Sequence, residues 1–208
     1  IAIQYNDKSV LENYHVSETF KIIFSKPEYN IFFNMPNDDY KICRKNIIEY
    51  VLHTDMTLHN EQFKSFKLRL ETYDIKKGKN IDKLFDESDP ISNYQIKMEF
   101  ISFLIHTADI SNPTKPLDIY KQWAQRCVDE FFIQGDSEKG KGLAVSFNCD
   151  RNTVSLPQSQ LGFIEAIVFP LYTVVNEYFP QLSFTLENIK KNSDYFKKVR
   201  DGKIKYTE

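Results

Sequence analysis

The chain has 208 residues, with 27 Lys+Arg against 29 Asp+Glu and a formal net charge of −2, so it lacks the basic excess with which a nucleic-acid-binding module neutralises phosphates. Three cysteines, Cys43, Cys127 and Cys149, are odd in number and far apart, which fits a reducing, cytoplasmic setting better than a disulfide framework, and no apolar run approaches the ~20 residues of a membrane span. Glycine is scarce, 6 residues where ordinary usage of about 7% gives about 15; tight hairpins need positive φ, so this shortage, beside 17 Phe and 12 Tyr, points to an all-α fold with a bulky core.

In chain order, a short helix is predicted from Asn6 or Asp7, with Val10, Leu11 and Tyr14 on one side. Ser17 is placed to cap a second helix through Phe20, Ile22, Ile23 and Phe24, which Ser25-Lys-Pro27 ends because proline disfavours helical geometry in the residue before it. A third follows Pro36 and the acidic start Asn37-Asp38-Asp39, setting Tyr40, Cys43, Ile47, Tyr50 and Val51 on one face. Residues 55 to 73 repeat the pattern with Met56, Phe63, Phe66 and Leu70. Residues 74 to 93 mix charges with Gly78 and Pro90 and read as a surface excursion.

Helical periodicity returns at Tyr94 and runs through Ile96, Phe100, Ile101, Leu104, Ile105 and Ala108, until Asn112-Pro-Thr-Lys-Pro116 breaks it. The next helix, Leu117 to Gln134, places Tyr120, Trp123, Ala124, Cys127, Val128, Phe131 and Phe132 on a broad apolar face and is expected to stop at Gly135. Trp123 and Phe131 read as core. Residues 135 to 157 read as a loop, 158 to 178 as a helix kinked at Pro170, and 181 to 199 as a last helix. The expectation is one domain of seven or eight helices.

The chain holds four histidines, and no His-Glu-x-x-His, Cys-x-x-Cys, phosphate loop or nucleophile elbow occurs. The most unusual local feature is His106-Thr-Ala-Asp109 at the end of an apolar helix, since residues three apart share a face. Ionisable groups there are costly to bury unless paired or bound to a cation. On spacing alone, helix-terminal capping and hydrogen bonding is the plainer reading and a metal site the sharper one.

The string His106-Thr-Ala-Asp-Ile-Ser-Asn-Pro-Thr-Lys-Pro116, with Tyr120-Lys-Gln-Trp123, Glu130-Phe-Phe-Ile-Gln-Gly-Asp136 and Ser159-Gln-Leu-Gly-Phe-Ile-Glu165, closely resembles the catalytic domain of class I 3′,5′-cyclic nucleotide phosphodiesterases. Upstream, Tyr5-Asn-Asp-Lys-Ser-Val-Leu-Glu-Asn13 with His15, and Leu52-His-Thr-Asp-Met56, are similar to two more blocks of that family in the same order. The resemblance implies an all-α domain that hydrolyses cAMP or cGMP to the 5′-monophosphate in signal transduction. It also implies two divalent metals, zinc and magnesium or manganese, sharing a hydroxide.

By the same resemblance, Asp109 matches a zinc-ligating carboxylate and Glu12 a carboxylate around metal-bound waters, whereas His106 is not among the ligands and reads as structural. Met56 matches a position lining the pocket near the metals, with plain core packing as an equal alternative. Gln160 matches the glutamine that reads the purine and Phe163 the aromatic that stacks on it. Cys127 falls on the opposite wall of that clamp, where a small buried hydrophobe suffices, and Asn112 near the base edge, where a turn before Pro113 is the rival. Asn148 stands where some members carry an apolar pocket lid.

The family's His-Asp-x-x-His block and general-acid histidine are expected before residue 1. The chain thus reads as the C-terminal part of one catalytic domain, inactive alone, from a parent that further segments could anchor to a membrane. The alternative from another class is a non-catalytic helical module that binds a purine nucleotide or regulates a partner.

Overall fold

The apolar stripes of the sequence are realised as helices in a computed structural model that describes residues 1–85 and 88–206. Among the described residues there are eight α-helices, and the one β feature is an isolated bridge between Lys76 and Lys79. The all-α expectation is borne out. No helix among them is long and apolar enough to cross a membrane. The chain divides into two compact units, Ile1–Asp74 with Asn80–Asp109, and Ile75–Lys79 with Ile110–Glu208.

The first unit holds α1 (Val10–Ser25), α2 (Asn37–Leu52), α3 (His59–Thr72) and α4 (Pro90–Asp109). The two helices expected before Pro27 are one: Val16 and Phe20 are the buried residues of α1 and stand four apart across Ser17, so an unbroken helix keeps both on one face. They meet Phe32, and Ile23, Tyr40, Cys43, Ile47 and Val51 pack around that cluster. Each such ring removed from water contributes about 1.5–3 kcal/mol. Tyr94 of α4 donates its hydroxyl to Asn46 Oδ1 at 2.7 Å, and Phe66 of α3 stacks on Phe103 of α4 at 4.0 Å.

Of the segment read as a surface excursion, Ile75 and Leu84 are buried. Asp86 and Glu87 lie outside the described residues. Helix α4 begins at Pro90 and not at Tyr94, because Asp89 Oδ1 accepts the N–H groups of Ile91 and Ser92. Proline in the first turn has no helical N–H to lose, so the residue read as a breaker is a starter.

The second unit holds α5 (Leu117–Gly140), α6 (Leu156–Phe163), α7 (Phe169–Tyr178) and α8 (Ser183–Arg200), with a π-helical turn at Ile164–Val168 joining α6 to α7. Its core includes Tyr120, Ala124, Val128, Leu161, Leu171, Tyr178, Ile189 and Phe196. The irregularity expected at Pro170 is this π turn: a proline ring clashes with the carbonyl four residues back, and a wider turn just before it relieves the clash. From α8, Asn192 donates to the carbonyls of Pro113 and Lys115, and Asn188 to that of Thr114, each at 2.9 Å. Those bonds fix the turn that carries Asn112.

Two expectations on α5 are corrected. The helix runs through Gly135 to Gly140, and Gly135 is buried against another backbone segment where no side chain fits. Trp123 and Phe131, read as core, are 43% and 41% exposed, since the apolar face of α5 is broader than the surface that covers it. Arg126 lies over the Trp123 ring at 5.4 Å.

Candidate functional site

In the first unit the candidate residues come from the start of α1, the turn before α3 and the end of α4. Asn6, Asp7 and Ser9 all have positive φ, a conformation that costs an L-residue energy and that Asn and Asp tolerate best. Asn13 Nδ2 holds this entry turn by donating to the carbonyls of Lys8 and Ser9. The result is a concavity of about 620 Å³ lined by Asp7, Ser9, Glu12, Asp55 and Thr57, among others.

Asp55 is the best-held carboxylate of this concavity. Burial alone would raise its pKa, but the Thr57 N–H at 2.8 Å and the Ser9 hydroxyl at 2.7 Å donate to it and together hold the carboxyl below its usual range. Its Oδ1 caps the turn Met56–Leu58 by accepting the Thr57 N–H, and its Oδ2 takes the Ser9 hydroxyl. Sequence reading passed over Asp55 because an Asp preceding a helix is ordinary capping chemistry. Glu12, half-buried, lines the same concavity.

Asp109 is the last residue of α4 and is exposed. Partial desolvation pushes its carboxyl up from the ordinary value, and the nearby His15 pulls it down. One turn earlier, His106 is fully buried, with Nε2 3.0 Å from Nδ1 of buried His59 on α3. Burial lowers the pKa of His106 to about 4, helped by the His59 charge, and burial also lowers that of His59. Both imidazoles are therefore neutral at pH 7, one donating to the other, and they tie α3 to α4 a turn away from Asp109. This agrees with the structural reading of His106. Met56 is 44% exposed, so its core-packing alternative is corrected: the short turn that Asp55 caps turns the side chain outward.

Among the described residues, no three His, Cys, Asp or Glu side chains converge as metal ligands. Asp109 offers a single carboxylate, whereas a zinc site draws on three or four protein ligands. The residues of this chain do not by themselves fit a bound metal pair.

In the second unit the candidates are joined side chain to side chain. Gln160 of α6 is buried, and its Oε1 accepts the hydroxyl of Tyr120 at 2.7 Å. Burial drives the Tyr120 phenol far above its ordinary pKa, so it remains protonated throughout the physiological range. A hydroxyl can also accept from the amide N–H2 of a rotated glutamine, so the tyrosine fixes the plane of the amide without choosing which end faces a ligand. Tyr120 read in the sequence as one more residue of an apolar stripe, and nothing in the spacing distinguishes a tyrosine with a bonded hydroxyl from one without.

Asn112 Nδ2 donates to Cys127 Sγ at 3.8 Å. Burial pushes the thiol up and the Asn112 bond draws it back, so Cys127 is a neutral, half-buried thiol. Phe163, half-buried, lies on the rim of a cavity of about 610 Å³ together with Phe147, Asn148, Ser155, Ser159 and Gly162. Of the candidate residues, Phe163 and Asn148 line this cavity, whereas Gln160, Asn112 and Cys127 are not among its lining residues.

A sequence model of the 3′,5′-cyclic nucleotide phosphodiesterases matches residues 1–189. The chain is 37% identical over 200 residues to the Drosophila melanogaster protein named 3′,5′-cyclic-AMP phosphodiesterase, isoform F, an alignment covering 96% of this chain and 29% of that one. With isoforms N/G the identity is also 37%, over 96% of this chain and 19% of the relative. The chain thus spans less than a third of the length of these relatives. Among solved structures, the phosphodiesterase domain of the RhoPDE fusion protein from the choanoflagellate Salpingoeca rosetta superposes with a TM-score of 0.81 at 29% identity, over 98% of this chain and 60% of that one. The structure of LmjPDEB1 in complex with IBMX gives a TM-score of 0.76 at 27% identity, over 93% of this chain and 53% of the other.

Proposed function

The chain belongs to the 3′,5′-cyclic nucleotide phosphodiesterase family, and from that premise we propose that it is the C-terminal portion of one catalytic domain whose protein hydrolyses cAMP, cGMP or both to the 5′-monophosphate. The observation that carries the reading is the buried Tyr120–Gln160 bond, a rigid amide of the kind that can donate to and accept from a purine edge at once. Phe163 would offer a face for base stacking, and the Asn112–Cys127 pair would serve as the opposite wall of the base clamp. The relatives named as cAMP phosphodiesterases support cAMP as the first substrate to try.

Asp109 and Glu12 would serve the phosphate end. Asp109 would be the one protein ligand that this chain gives to zinc or to a second divalent ion, magnesium or manganese, and Glu12 would hydrogen-bond around them. The remaining ligands and the general acid would come from residues outside these 208, so the chain alone would bind the metals weakly and lack turnover. Bound metals would supply charge neutralisation and an activated water. The reducing setting inferred from the cysteines suits a cytoplasmic protein: Cys43, Cys127 and Cys149 are all free thiols.

The test is hydrolysis of cAMP and cGMP by the full-length protein, with metal content measured on the same sample. Turnover of neither nucleotide overturns the reading. Stoichiometric zinc with activity in the 208 residues alone would overturn the division of the metal site. Full activity in Asp109→Asn would remove Asp109 from the ligand set.

A further inference from the structure

The last turns of α5 hold the segment that lines the 610 Å³ cavity, and they do so at four successive attachment points. Gly135 is buried, and a Cβ on it would lie 1.9 Å from the carbonyl oxygen of Cys149 and 2.7 Å from its carbonyl carbon. Contact that close excludes every residue but glycine unless the segment moves. Cys149 is itself 4% exposed, so the segment cannot shift without opening buried surface.

The three other attachments are polar. Asp136 takes a bidentate contact from Arg151, with Nε donating to Oδ1 at 3.2 Å and Nη2 to Oδ2 at 2.5 Å. Glu138 accepts the backbone N–H of Ser146 at 2.7 Å through one oxygen and the Ser146 hydroxyl at 2.6 Å through the other. Lys139 donates to Asp150 Oδ1 at 2.6 Å, and the same oxygen accepts the N–H of Asn152. Each exposed ion pair alone is worth little. Four contacts from five consecutive helical residues onto residues 146 to 151 form a network about a packed glycine, and networks exceed the sum of isolated pairs.

What this clamp holds is the edge of the cavity. Between the Ser146 and Cys149 attachments the chain passes through Asn148 at φ 62, in the left-handed region, and turns Phe147 out to 90% exposure. Phe147 and Asn148 line one side of the cavity and Ser159, Gly162 and Phe163 the other. Nothing in the 146–150 segment is helical, so its position is set by what grips it.

We propose that Gly135 to Lys139 act as a positioning clamp that sets the Phe147–Asn148 edge opposite Phe163, and that Gly135 and Glu138 thereby govern how tightly the cavity takes the base of a nucleotide. This rests on the phosphodiesterase reading for its ligand but not for its mechanics. Neither residue touches the ligand; both act through the segment they hold.

The experiment uses the full-length protein with Gly135→Ala, Glu138→Leu and Glu138→Gln, reading KM and kcat for cyclic nucleotide together with hydrogen–deuterium exchange across residues 143–155. The alanine and leucine variants are expected to speed exchange at 146–151 and to raise KM about fivefold to tenfold, with kcat changing far less. Glu138→Gln, which keeps an acceptor for Ser146, restores most of both. Faster exchange with unchanged KM overturns the proposal, as does unchanged exchange in Glu138→Leu, a variant at a half-buried position outside the core. If the unaltered protein turns over no cyclic nucleotide, the phosphodiesterase reading fails separately. Exchange then decides the clamp: acceleration confined to 146–151 supports it and unchanged protection overturns it.

Discussion

The two units keep their candidate residues in opposite ways. In the second, Gln160 is bonded to Tyr120 and Asn112 to Cys127, so each polar atom named there has its partner within the unit. In the first, Asp109 ends a helix in solvent, Glu12 lines an open concavity, and the bonded carboxylate is Asp55, which the sequence did not single out. Charge explains the difference. A neutral hydrogen-bonding site is completed by neutral partners that pack as ordinary core, whereas several carboxylates gathered at one point repel each other unless a cation stands between them. A neutral hydrogen-bonding group can therefore be completed by the fold alone.

The comparison breaks if substitutions in the two units have the same kinetic signature. The largest expected effect is Asp109→Asn in the full-length protein: kcat lower by on the order of 10³-fold, as several kcal/mol of lost transition-state charge stabilisation requires. Gln160→Ala is expected instead to raise KM about 10- to 100-fold with a smaller change in kcat. Steady-state kinetics with both nucleotides checks this, and a purely KM effect at Asp109 would erase the distinction.

The next effect belongs to the first unit and depends on pH. His106 and His59 are neutral in the fold, with His106 lowered from 6.5 to about 4, and both take up protons readily once unfolded. Their contribution to stability is thus fully present above pH 6.5 and is lost as pH falls toward 4. His106 alone would account for on the order of 3 kcal/mol across that window. Urea unfolding between pH 4 and 7.5 measures it. In His106→Phe the slope should shrink markedly, and an unchanged slope would mean that other groups carry the acid sensitivity.

A smaller effect is expected in the second unit for Tyr120→Phe, which leaves Gln160 Oε1 buried without its partner. The cost is about 1–3 kcal/mol by denaturant unfolding, with a raised KM and no change in the pH dependence of stability. Met56→Ala should be smallest, within about 0.5 kcal/mol, because the side chain is already 44% exposed. A larger loss there would show that Met56 is covered in the full-length protein.

Much of this architecture was legible in the sequence because helix periodicity is local. The stripes of Tyr40, Cys43, Ile47 and Val51, and of Tyr120, Ala124 and Val128, are the faces that pack, and Pro170 marked the place where the helix changes its turn. Local rules failed where a residue's task is set by something distant along the chain. Gly135 sits inside α5 packed against the distant Cys149, and Trp123 is 43% exposed because the stripe is broader than the surface that covers it, whereas at Pro90 the missed signal was local, the cap from its neighbour Asp89.

By itself the sequence determined the helical class, the near-neutral overall charge, the odd and scattered cysteines and the set of residues matching one family's blocks. Only tertiary structure decided which of those residues have partners. It joined Gln160 to Tyr120 across 40 positions and His59 to His106 across 47, and it left Asp109 at a helix end. Spacing along a chain fixes which side chains share a face. Hydrogen bonds between faces depend on how helices pack, and packing is settled by the whole apolar surface at once.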